Sequence, residues 1–160
     1  MNKIDLTKEH NKLVRELQKQ IQSLGLILMS HGGVFSEGFR PDIVINVGGC
    51  KDDWVIIDVI NSRRQITHDI GGLLTVKANV ENIGYPVRGI IAVFSDRIRT
   101  ETITKHIYLI RQHPNFIITQ PSDFKDTIQD LMVQSAKEKL DKLGYITSYI
   151  LKKPETQKKE

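Results

Sequence analysis

Apolar positions first recur at helical spacing: Leu13, Leu17, Ile21 and Leu24 form one stripe, Thr7 is placed to cap it, and Gly25 stops it. The period then shortens. Leu26 to Met29 predicts a first strand, followed by a loop through Ser30, His31, Gly32 and Gly33 to Gly38. Ile43 to Val47 and Trp54 to Ile60 predict two further strands. The turn residues of 48–53 between them predict an antiparallel hairpin.

From Thr67 to Ile83 the apolar residues Ile70, Leu73, Leu74, Val76, Val80 and Ile83 return to helical spacing. Gly71 and Gly72 weaken that helix near its start, and they offer room for close approach by backbone or ligand. Val87 to Phe94 is a continuous apolar run, expected as an inner strand parallel to the third after a helical crossover. A helix over 102–112, a strand over Phe116 to Thr119 and a long amphipathic helix from Phe124 to Leu143 complete the pattern. Pro121, Ser122 and Asp123 open that last helix. Its apolar residues Phe124, Ile128, Leu131, Met132, Ala136, Leu140 and Leu143 fit a cover for the sheet or a partner-binding face, and the first is favoured.

The fold class is therefore α/β, a mixed central sheet flanked by helices. Its order is helix, three strands, helix, strand, then helix, strand and a long C-terminal helix. With 160 residues, 39% of them hydrophobic, the chain suits one domain over 1–151, followed by a charged, flexible tail over 152–160.

Two acids break the apolar pattern. Asp58 stands inside the most apolar strand, flanked by Val55, Ile56, Ile57, Val59 and Ile60, where a charge is unfavourable without a partner or an ion. Asp42 follows Arg40 and Pro41 at the start of the preceding strand. Carboxylates on neighbouring strands can share a divalent cation facing a phosphate. A net charge of +4 favours a polyanionic partner.

Other chemistries lack their residues. His31, His68, His106 and His113 do not have zinc-site spacing, Gly71 and Gly72 lack the lysine of a phosphate loop, and no Gly-x-Ser-x-Gly elbow occurs. The single Cys50 forms no disulfide framework and suits a reducing compartment. Neither a secretion signal nor a bilayer-length apolar run is present, so a soluble, cytoplasmic protein is expected.

Three stretches carry a resemblance: Arg15, Glu16 and Leu17 running to Gly25; Pro41, Asp42, Ile43 and Val44; and Ile56, Ile57, Asp58 and Val59. In these, and in element order over 13–94, the chain resembles the PD-(D/E)XK nuclease superfamily, which has the restriction-endonuclease-like fold. Within it the archaeal Holliday junction resolvases are nearest. The resemblance implies that Asp42, Asp58 and the main-chain carbonyl of Val59 hold magnesium or manganese against the scissile phosphate.

Two positions depart from the family pattern. Ile60 stands where the catalytic lysine belongs, leaving Lys51, Arg63 or Arg64 to supply the positive charge. Val14 falls where a helical glutamate belongs, with Glu16 on the same helix and Glu37 in the loop as substitutes. The favoured reading of Glu16 is an exposed, paired helix residue, and that of Lys51 a turn lysine. Arg40, Arg63 and Arg64 are the candidate nucleic-acid contacts. Three functions follow as expectations: a metal-dependent DNA endonuclease, perhaps for branched DNA; a catalytically inactive DNA-binding module on the nuclease fold; or a protein-interaction module. In the third, the helix from Phe124 to Leu143 packs against a partner or a second copy, as a homodimer.

Overall fold

A computed structural model describes residues 3–29, 38–48, 53–106, 108, 110 and 112–158. The elements run α1 (Lys3–Ser23), β1 (Ile43–Asn46), β2 (Trp54–Ile60), α2 (Ile66–Ile83), β3 (Val87–Phe94), α3 (Thr100–His106), β4 (Phe116–Thr119) and α4 (Phe124–Lys158). The sheet has four strands in the order β1-β2-β3-β4. β1 and β2 form the expected antiparallel hairpin, Ile43 opposite Ile57 and Asn46 opposite Trp54. β3 is parallel to β2 after the α2 crossover, and β4 is parallel to β3. The chain is thus an α/β protein with a mixed sheet flanked by helices.

Alternation along the strands sorts the core into two layers. Val44, Ile56, Ile60, Ile90, Ala92 and Phe94 face Ile66, Ile70, Leu73, Val76 and Val80 of α2. Ile43, Ile45, Val55, Ile57, Val59, Ile91 and Val93 face Leu17 and Ile21 of α1 and Phe124, Ile128 and Leu131 of α4. All of β2 is buried because it lies inside the sheet with helices over both faces. Asp58 is even-numbered and belongs to the α2 layer.

Several boundaries differ from expectation. The first expected strand reduces to one antiparallel bridge, Leu28 to Ile45, with the Met29 N–H donating to the Val44 carbonyl at 2.9 Å. Ile27 beside it is 82% exposed, so the run has too little core to bury for a full strand. Thr7 lies inside α1, which begins at Lys3 and has Asp5 in its first turn, where an acid favours the helix dipole. Gly25 does stop α1: it adopts φ 79°, and the Leu26 N–H returns to the Ile21 carbonyl.

Later in the chain, α3 covers Thr100–His106, starting before the expected 102–112, of which residues 107, 109 and 111 lie outside the described residues. The N–H groups of Thr102 and Ile103 both donate to the Arg99 carbonyl, which sets the earlier start. α4 runs through Lys158, so 152–158 continue a helix where a loose tail was expected. Among the described side chains of α4, only those of its first part cover the sheet. Phe124, Ile128 and Leu131 are buried and Met132 is partly buried, whereas Ala136, Leu140 and Leu143 are exposed. Among the described residues, no helix is long and apolar enough to cross a membrane.

Candidate functional site

Continued one residue past Ile43 and Ile57, the hairpin register sets Asp42 opposite Asp58. Beyond Ile43 the Asp42 side chain serves as a ladder partner: its Oδ2 accepts the Val59 N–H at 2.8 Å. The same oxygen lies 3.1 Å from Nε2 of His10 on α1. α1 is tied to this end of β2 by Asn61, whose Nδ2 donates to the Leu6 carbonyl at 2.9 Å. On the other side α2 contributes Asp69, which is buried and holds Nδ1 of His68 at 3.1 Å.

Three acids therefore approach one another at the C-terminal end of β2, and they divide their protons unequally. Burial, then the charge and hydrogen bond of Asp42, then Asp69, push the Asp58 carboxyl up to about 11. It stays protonated at neutral pH and donates to Asp42. Burial also opposes charge on Asp42, but the hydrogen bonds from His10, Asp58 and the Val59 N–H bring it below the usual carboxylate range. The hydrogen bond to Asp42 in turn raises the His10 imidazole, against its own partial burial.

The acids open into a cleft of about 770 Å³ lined also by Leu6, Thr7, Phe39, Arg40, Asn61, Ser62, Arg64 and Gln65. Among the described residues lining it, the basic side chains are His10, Arg40 and Arg64. The cleft shares Leu6, Asn61 and Ser62 with a second, net basic one lined by Arg63, Arg97, Arg99, Glu101 and Lys105. Arg97 is engaged by Glu9 of α1, with Nε to Oε2 at 2.7 Å and Nη2 to Oε1 at 2.8 Å. Anionic and cationic walls thus adjoin along one trough.

The structure brings Asp42, Asp58 and Val59 together in a cleft lined by Arg40 and Arg64, while Arg63 lines the adjoining cleft. Glu16 is not among them; it is exposed on α1, and the helix turns His10 toward Asp42 instead. Lys51 and Glu37 lie outside the described residues; Gly48 and Asp53, which bracket Lys51, adjoin the opposite end of β2 from Asp58. Ile60 occupies the lysine position as a fully buried member of the α2 layer. Gly71 and Gly72 also resolve differently from each other. A Cβ at Gly72 would overlap the Phe39 ring, whereas one at Gly71 would meet nothing within 4 Å, so the close approach concerns Gly72 alone.

His10 and Asp69 escaped the sequence reading, yet each carries a signal. His10 precedes Leu13 and Leu17 by three and seven residues, so it continues the apolar stripe of α1. Asp69 sits between Ile66, Ile70 and Leu73 on the buried stripe of α2. A titratable group on a buried stripe is the helical counterpart of Asp58 in its strand. No family model, curated protein or solved structure matches this chain.

Proposed function

We propose that this trough is the phosphodiester-binding site of a DNA-binding protein with a PD-(D/E)XK nuclease-like core, with Asp42 and Asp58 as its centre. One observation carries the reading: buried Asp58 and half-buried Asp42 face each other at a sheet end whose cleft is lined by Arg40 and Arg64. A purely structural site would neutralise such acids with a fixed guanidinium or ammonium, as buried charges require. Among the described residues no guanidinium or ammonium pairs with these acids; the His10 imidazole and a shared proton hold them instead, an arrangement that suits a site whose charge changes when something binds.

Magnesium or manganese fits the donor chemistry in part. Among the described residues no three His, Cys, Asp or Glu side chains form a group ready to hold a metal. Asp42, Asp58 and the Val59 carbonyl would be the protein's share, and hard ions that keep several waters need few protein ligands. Bound there, such an ion supplies electrophilic polarisation of a phosphate and a more acidic water. The protein's own residues do the rest: Arg40 and Arg64 orient phosphate oxygens, Val59 and His10 fix the Asp42 carboxylate, and the layer beneath α2 keeps water from behind Asp58.

Ile60 favours a second reading, a nuclease fold that binds DNA without cutting it. Losing one preorganised donor typically lowers rate by about 10² to 10³. Incubation with supercoiled, linear, single-stranded and four-way-junction DNA, with magnesium or manganese, tests the first reading. Cutting that needs the metal and disappears in Asp58→Ala supports an endonuclease. Salt-sensitive gel shifts without cutting support the binding module. Absence of binding at low salt would remove both.

A further inference from the structure

The trough has two unlike ends. Past Asn61 and Ser62 the wall is cationic, with Arg63, Arg99 and Lys105. Toward α2 it is aromatic: Phe39 and Asp69 line the cleft, and His68 touches both. The His68 side chain is 78% exposed, yet it is held at two points. Its Nδ1 lies 3.1 Å from Asp69 Oδ1, and its ring meets Phe39 edge to face, with centroids 6.0 Å apart and planes at 64°. Phe39 is itself seated on Gly72, where the absent Cβ makes its room. An exposed ring anchored twice has already given up much of its rotamer freedom, so a second ring that stacks on it loses less entropy on binding.

We infer that the Phe39 and His68 corner is a platform for an unpaired nucleobase, so that DNA engages this chain as a single strand. The inference rests on the phosphodiester reading above and adds the form of the substrate. A basic groove that follows the backbone, with an aromatic face beside it, is how proteins hold single strands without reading their sequence. A closed duplex keeps its bases stacked inward and presents only phosphate and sugar to the same corner. Histidine offers a flat face to an unstacked base as the larger aromatics do.

The test compares three fluorescently labelled probes by anisotropy at fixed low salt: a short single strand, the same strand made entirely of abasic sites, and the corresponding duplex. They are titrated with wild type, His68→Ala and His68→Phe. Wild type is expected to bind the base-bearing strand about five- to tenfold more tightly than the abasic one. His68→Ala should lose that preference, His68→Phe should keep it, and duplex affinity should be the same in all three proteins. Equal affinity of wild type for base-bearing and abasic strands would overturn the platform while leaving phosphodiester binding intact. So would a parallel loss in His68→Ala and His68→Phe. Failure of wild type to bind any of the three probes would overturn both readings.

Discussion

The two ends of β2 each carry a buried or half-buried aspartate, and the chain treats them in opposite ways. At the N-terminal end Asp53 is held by Arg88, whose Nη2 lies 3.1 Å from each carboxylate oxygen, and by the Ser135 hydroxyl. Arg88 reaches on to Glu138 of α4, with Nη1 to Oε1 at 2.7 Å. The hydrogen bond to Glu138, opposed by some burial and reinforced by Asp53, raises the guanidinium, while Arg88 lowers Glu138. At the C-terminal end Asp58 meets two further acids and shares a proton. One end is closed by a guanidinium, whereas the other holds its acids with the His10 imidazole and a shared proton. The contrast teaches that burial of an aspartate is uninformative by itself; what its partners leave unbalanced distinguishes a fastening from a site.

Arg88→Ala should produce the largest effect, because it strands Asp53. The expected loss is about 3 kcal/mol in urea denaturation, at the low end for a broken buried pair since both side chains still meet some water. A loss well under 1 kcal/mol would erase the distinction between the two ends.

Asp58→Asn should act in the opposite sense. The folded protein keeps the Asp58 proton up to about 11, whereas the unfolded chain releases it near the ordinary 3.8, so wild-type stability falls as pH rises between those values. His10 adds to the same slope: its folded value is raised, so its contribution is present at acid pH and fades as pH rises through that value. Asp42 is lowered and contributes above the usual carboxylate range, with the loss coming only on acidification. Asp58→Asn removes the largest of these terms. It should be about 0.5–2 kcal/mol more stable than wild type at pH 8 without metal, with the gain shrinking toward pH 4, while DNA and metal binding decline. Equal stability at both pH values would count against the site.

Ser135→Ala sharpens the comparison on the closed end. It removes one hydrogen bond while leaving Arg88 on Asp53, so about 1 kcal/mol should be lost, with no change in DNA affinity. The smallest effects should come from the glycine pair behind the open end. Gly71→Ala enters open space in a helix and should stabilise by about 0.5–1 kcal/mol. Gly72→Ala must displace Phe39, which cancels or reverses that gain and should also perturb binding in the cleft. Thermal melts of the two variants side by side provide the measurement.

Legibility followed the range of the interaction. The hairpin and the α2 crossover were readable because period and turn residues are local properties. Asp42 and Asp58 were readable because a carboxylate in an apolar strand breaks a pattern of period two. His10 and Asp69 were harder, since polar residues are common on helices and only their place on the buried stripes sets these two apart. The link joining Asp53, Arg88 and Glu138 spans 35 and 50 residues, and no local pattern announces it. Leu140 and Leu143 extend the apolar rhythm of α4 beyond the end of the surface they would cover, so periodicity overstated the core.

The crossover between β2 and β3 also dictates a sequence of events. The hairpin can zip early from residues close in the chain, leaving Asp58 wet on one face until α2 swings across and docks. Proton uptake by Asp58 is therefore coupled to that docking step, and refolding should quicken as the solution is made mildly acidic.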